Sequence, residues 1–276
     1  MLKRCWTGLL VTAAAGIPIS LCAQQQPVEL TVFAAASLKD AFTEAAEVLT
    51  QRTPPIAVRY SFGGSQQLVL QLEQGASADL FASADQRWMQ VARDTGLIAG
   101  TPAIFARNRL VVITPASNPG RIDRLQDLGK RGLKLVLGAE AVPVGKYSRE
   151  ALNRLNRAPG FGSSYSRRVL GSVVSEEENV KAVVSKVQLG EADGGIVYVS
   201  DVTPSVRKAV RTIEIPDPYN VVATYPIAVL KRSDQSAAAQ QFIQFITSAE
   251  GQDLLARHGF LPAETAMNSS PAGAPR

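Results

Sequence analysis

Four junctions between an apolar run and a helix-like segment carry the polar groups best placed to bind an anion. In "VFAAASLKDAF", residues 32–42, Ser37 sits where a buried strand stops and a helix starts. "FGGSQQL" repeats the arrangement, with Gly63 and Gly64 letting the backbone approach a ligand and Ser65 at the helix start. "AVPVGKYSREAL" brings Pro143, Val144 and Gly145 to a third helix start, and "SEEENVKAV" brings Asn179, a good N-cap, to a fourth. A helix start presents backbone N–H groups without partners and the positive end of a dipole, which suits an anion. The ordinary use of a serine there is to cap its own helix. Ser175 and Glu178 also match a capping box, which would start the fourth helix four residues earlier. Tyr198, in "GGIVYVSD", ends another apolar run, where a half-buried aromatic is the common role. What favours a ligand is the position: in open α/β sheets ligands sit outside the carboxyl ends of the strands.

Catalytic groups are scarce. The one histidine, His258, lies beside Gly259 in a C-terminal helical segment and reads as a helix-end residue. The two cysteines, Cys5 and Cys22, both lie near the N-terminus. Zinc sites of the common kinds need more ligands than these. A Ser-His-Asp triad would have to be built on His258, and no G-x-S-x-G elbow occurs. Neither an enzyme nor a cofactor is expected.

The elements that must hold these junctions alternate along the chain. Candidate strands are "LTVFAA" (30–35), "IAVRYSF" (56–62), "DLFAS" (79–83), "RLVVIT" (109–114), "LKLVLG" (133–138), "GGIVYVS" (194–200), "RTIEI" (211–215) and "YPIAVL" (225–230). Segments of helical period lie between them, such as "SLKDAFTEAAEVLTQ" and "ENVKAVVSKVQLG". That alternation predicts an α/β fold of mostly parallel sheets flanked by helices. A strand followed by the Pro/Gly loop of "NRLVVITPASNPGR", and a second crossing near residue 220, predict two lobes. The first would hold 24–107 with 226–276, the second 108–225. No internal repeat is visible, and the tail "MNSSPAGAPR" is expected to fray.

Residues 1–23 read as a secretory signal peptide: Lys3 and Arg4, an apolar stretch from Leu9 to Leu21, then Ala23. The stretch is too short and poorly flanked for a membrane span. Bulky Leu21 disfavours lipoprotein anchoring through Cys22. The mature chain is expected to be exported, free of cysteine, and held by its own core at about 250 residues. Removing Lys3 and Arg4 lowers the formal charge from +5 to +3. The remaining Lys and Arg are scattered, so no nucleic-acid partner is expected.

"LTVFAAASLKDAF", "GASADLFASADQRWM", "VPVGKYSREAL" and "GIVYVSD" closely resemble the periplasmic molybdate-binding proteins of ABC transporters, over roughly residues 29–262. The resemblance implies a two-lobed periplasmic binding protein, type II-like, with the oxyanion held in the interlobe cleft without a compensating charged side chain. It implies that Ser37 and Ser65 give hydroxyls and backbone N–H groups, Val144 and Val180 backbone N–H groups, and Tyr198 its phenol. The metal would be only the molybdenum of the oxyanion. Tungstate as a second ligand, ABC permease subunits as partners, a periplasmic location and a monomer are the further implications. Gly63 and Gly64 stand where relatives often have serines or alanine and serine. Val144 stands where alanine occurs, which a backbone donor tolerates if the side chain points away from the anion. Two rivals remain open: a sulfate-type oxyanion receptor, separable only by cleft size, and an exported hydrolase of phosphate or sulfate esters, which the near absence of His and Cys opposes.

Overall fold

The computed structural model describes residues 26–263. The signal-peptide segment, the Cys22 question and the tail from residue 267 lie outside them. Among the described residues no helix is long and apolar enough to cross a membrane.

The apolar run after Val28 forms β1 (Val28–Ala35), with Leu30, Val32, Ala34 and Ala35 wholly buried. Such continuous burial belongs to a parallel strand covered on both faces. A 3-10 turn over Ala36–Leu38 leads into α1 (Lys39–Thr50), whose buried face is Ala41, Phe42, Ala45 and Leu49. Then come β2 (Ile56–Gly63), α2 (Ser65–Glu73), β3 (Leu80–Ala82), α3 (Gln86–Asp94) and β4 (Ile98–Asn108). With β10 (Ala223–Leu230) these strands make one sheet in the order β2-β1-β3-β10-β4. The other sheet, β7-β6-β8-β5-β9, contains β5 (Leu110–Pro115), β6 (Leu135–Gly138), β7 (Val173–Glu177), β8 (Gly194–Tyr198) and β9 (Val210–Glu214). Its helices are α4 (Pro143–Leu155), α5 (Tyr165–Leu170), α6 (Val180–Gln188) and α7 (Pro204–Arg207). α8 (Ser236–Thr247) and α9 (Ala249–Arg257) return to the first sheet, where Phe42 meets Phe105 and Phe242 at ring separations of 5.6 and 5.3 Å.

Both sheets are mixed but mostly parallel: four strands of each run the same way, and one, β10 or β5, runs against them. Each has two parallel and two antiparallel pairings. The cause is the double crossing of the chain. β5 leaves the first sheet at Asn108 and enters the second from the end where β8 finishes, pairing Leu110 with Tyr198. β10 enters the first sheet from the end where β3 finishes, pairing Ile227 with Ala82. A strand arriving at the carboxyl end of its neighbours must run against them.

Two strands escape the sequence pattern. β4 carries Gly100 and Pro102 within its length, which reads as a breaker, and β7 is the segment that imitates a capping box. The fourth helix starts at Val180, with Asn179 as its N-cap accepting from the Ala182 N–H at 3.1 Å. Ser175 caps nothing and lies within β7. His258 is the C-cap residue of α9 and pairs with Glu44 at 2.7 Å.

Candidate functional site: a cavity between four helix starts

The helix starts after β1, β2, β6 and β7 converge on one small cavity between the two sheets. Ser37, Ser65, Val144, Val180 and Tyr198 all line it, together with Gly63, Gly64, Ala84 and Pro143. All five predicted residues are buried. The cavity measures about 10 Å³, against the ~300–1,000 Å³ of a site for a drug-sized organic ligand. The cavity's volume is that of about one water molecule and leaves no room for a sugar or an amino acid. A wider groove of about 910 Å³ beside Gln86, Thr224 and Gln252 is larger, but it gathers none of the four helix starts.

Each junction reaches the cavity by local chemistry. The Ser37 hydroxyl makes no cap to its own turn and instead lies 3.0 Å from the Tyr225 hydroxyl. Ser65 is the first residue of α2 rather than its cap; Gly64 holds the cap position, and its N–H donates to the Gln67 side chain at 3.2 Å. The Ser65 oxygen accepts the Ala84 N–H at 3.0 Å, which leaves the serine proton free to donate. In α4, Pro143 takes the first helical position, where a missing N–H costs nothing, and Val144 follows with its N–H in the unpartnered first turn. The Val144 side chain is turned to Gly138 at the end of β6, where a Cβ would lie 2.8 Å from it. A Cβ on Gly145 would overlap the Gly138 and Ala139 carbonyl oxygens, so glycine lets this helix start so close to its strand. Val180 is likewise a first-turn residue of α6.

The electrostatics favour an anion that only accepts hydrogen bonds. Among the described residues no charged side chain lines the cavity. The Tyr198 hydroxyl is fully buried and has no hydrogen-bond partner among them. Such an orphaned donor is costly and calls for an acceptor. Burial pushes the Tyr198 phenol well above its usual pKa, so it keeps its proton. Its backbone is held by Asp201, whose carboxylate accepts the Tyr198 N–H at 3.2 Å and pairs with Lys181 at 3.2 Å. Burial pulls the Lys181 ammonium down, but Asp201 and Asp40 outweigh it, and its pKa is raised.

Contacts between the sheets' elements shut the cavity. Lys181 reaches Asp40 of α1 at 2.7 Å. Gln66 donates to the Glu178 carbonyl at 2.8 Å, and Gln67 to the Glu178 carboxylate at 2.6 Å. The Trp88 indole donates to the Ala141 carbonyl at 2.8 Å. A Cβ on Gly64 would overlap the Glu178 carbonyl oxygen, so the closed approach needs glycine there.

A family model for bacterial extracellular solute-binding proteins matches residues 30–261. The chain belongs to that family. The solute-binding protein is 39% identical over 269 residues to the molybdate-binding protein ModA of Mycobacterium tuberculosis, covering 92% of this chain and 98% of the relative. It is also similar to the substrate-binding domain of a putative molybdenum ABC transporter from Clostridium difficile. That match has 32% identity and a TM-score of 0.64, and covers 86% of this chain and 100% of that one. The fold is shared more widely: the sulfate-binding protein SubI of Mycobacterium tuberculosis superposes with a TM-score of 0.75 at 18% identity, over 85% of this chain and 87% of that one.

The two carboxylates that flank β3 have different partners. Asp85 caps α3, accepting the Trp88 N–H at 2.9 Å. Asp79 accepts the Thr31 N–H at 2.8 Å and the Ser233 hydroxyl at 2.7 Å, tying β1 to the loop after β10. The sequence pattern gave no sign of Tyr225 behind Ser37, because 188 residues separate them and "YPIAVL" reads only as a strand.

Proposed function

We propose that this solute-binding protein captures molybdate in the cavity between its sheets and delivers it to an ABC permease. The proposed shell is the hydroxyls and N–H groups of Ser37 and Ser65, the N–H groups of Val144 and Val180, and the Tyr198 phenol. The observation that carries it is the orphaned, fully buried Tyr198 hydroxyl in a cavity lined by four helix starts and no charged side chain. Such a shell offers donors and no carboxylate, so it suits a small dianion without protons. The similarity to molybdate-binding relatives selects molybdate among such ions. Tungstate, of the same shape and charge, is proposed as a second ligand. The two crossings, at Asn108–Leu110 and over residues 215–222, would serve as the hinge between the lobes. The protein works as a periplasmic monomer without cofactor or catalysis.

Sulfate is the second reading, favoured by the superposition on a sulfate-binding protein. Calorimetric titration of the mature protein with molybdate, tungstate, sulfate and phosphate separates the two. Molybdate and tungstate are expected to bind most tightly, with phosphate at least tenfold weaker because its proton finds no acceptor. Sulfate binding more tightly than molybdate would replace the proposal. Tyr198→Phe should weaken molybdate binding by about 1.5–3 kcal/mol, the range for a bond to a charged group, and leave folding intact. An unaltered affinity would remove Tyr198 from the shell.

A further inference from the structure

A buried pair of hydroxyls joins Ser37 to β10 behind the cavity. The Ser37 and Tyr225 hydroxyls lie 3.0 Å apart, and taken alone the pair leaves the donor undecided. The surroundings of Tyr225 decide it. Its hydroxyl is buried, and among the described residues Ser37 is the one acceptor within hydrogen-bond distance, so the Tyr225 proton goes to Ser37. Ser37 is then left with its proton to give, and it faces the cavity.

Resting on the oxyanion site proposed above, we infer that Tyr225 is a positioning residue that makes Ser37 an obligate donor. It thereby acts as a determinant of specificity for oxyanions that carry no proton. Tyr225 is 0% exposed, so no solvent can rewire the pair. For Ser37 to accept from a protonated anion, it would have to turn its own proton back towards Tyr225. The Tyr225 proton would then be stranded among the Phe105, Tyr198 and Phe260 rings that meet it edge-on. The second serine is set the same way by a different donor, the Ala84 N–H on Ser65.

A double-mutant cycle tests the inference. Molybdate affinity is measured calorimetrically for the native protein, Tyr225→Phe, Ser37→Ala and the double variant, with phosphate as competitor and thermal unfolding of the unliganded proteins alongside. Tyr225→Phe should weaken molybdate about fivefold while phosphate competes as well as before or better. In the Ser37→Ala background the same substitution should change neither anion by as much as twofold. Ser37→Ala alone should also narrow the preference for molybdate over phosphate, which keeps the test open if Tyr225→Phe folds poorly. Should Tyr225→Phe weaken both anions equally, and equally in both backgrounds, Tyr225 is merely structural and the inference falls. Native protein that binds sulfate in place of molybdate carries the same cycle with sulfate as probe. Native protein that binds none of the four oxyanions overturns the site and this inference together.

Discussion

The two sheets share one wiring and differ in how they supply donors. Read from β2 to β4 and from β7 to β9, each has two parallel pairings followed by two antiparallel ones. The helix starts after β1 and β2 therefore match those after β6 and β7. In the first sheet these positions carry serines, and each serine oxygen is engaged inside its own lobe, by Tyr225 or by the Ala84 N–H. In the second they carry valines, whose side chains are buried and whose backbone N–H groups stay in the unpartnered first turn. The topology fixes where a donor points, and the residue type decides only whether that donor also holds the lobe together.

The difference can be broken from several sides. The largest effect is expected where the lobes approach most closely. Gly64→Ala places a methyl on the Glu178 carbonyl oxygen, an overlap of a kind that costs about 1–3 kcal/mol or more. Molybdate affinity should fall about a hundredfold, while the unliganded protein, free to stay open, keeps its melting temperature. An unchanged affinity in calorimetry would mean that the ligand-bound form is not closed as described.

Ser65→Ala comes next, because it removes a proposed ligand donor and strands the buried Ala84 N–H. The unmet N–H should cost about 1–3 kcal/mol of stability even without ligand, visible in a denaturant titration. Affinity should fall as well. Loss of affinity with native stability would contradict the dual role given to the first lobe's hydroxyls.

Val180→Pro is the counterpart in the second lobe. Val180 is the first residue of α6, where proline is tolerated, and Asn179 before it is extended, as a residue preceding proline prefers. The N–H is lost, and a pyrrolidine ring of comparable size replaces the buried valine side chain. Affinity should drop by about 1.5–3 kcal/mol with stability nearly unchanged, opposite to the pattern at Ser65. Equal losses of stability in the two variants would erase the contrast between the lobes.

The smallest effect concerns pH. Burial holds the Tyr198 phenol protonated well beyond neutrality. Asp85, next in sequence to the cavity-lining Ala84, has its pKa raised by burial. A raised carboxylate gains its proton as pH falls through the folded value, which removes a negative charge near the anion and favours binding on the acid side. Above that value the charge is constant. Affinity should therefore stay within about twofold from pH 7 to pH 9. A tenfold fall across that window would reveal a titrating group in the shell, and Asp85→Asn would show whether it is Asp85.

Much of this was legible in one dimension. Apolar periodicity located eight of the strands, and Ser37, Ser65, Val144, Val180 and Tyr198 could be named from their positions at strand ends and from family resemblance. Those signals are local: a strand's burial and a helix's cap are encoded within a few residues of where they act. β4 was hidden because an edge strand tolerates the Gly and Pro that read as breakers, and β7 because its acidic end imitates a cap. The equivalence of the two sheets has no counterpart in residue identity, since any apolar run can serve as a parallel strand. The closed cavity, the contacts of Glu178 with Gln66 and Gln67, and the pair of Tyr225 with Ser37 join residues about 110 to 190 positions apart. Only tertiary structure decides them, because a hydrogen bond's direction depends on which distant partner has already claimed the other lone pair or proton.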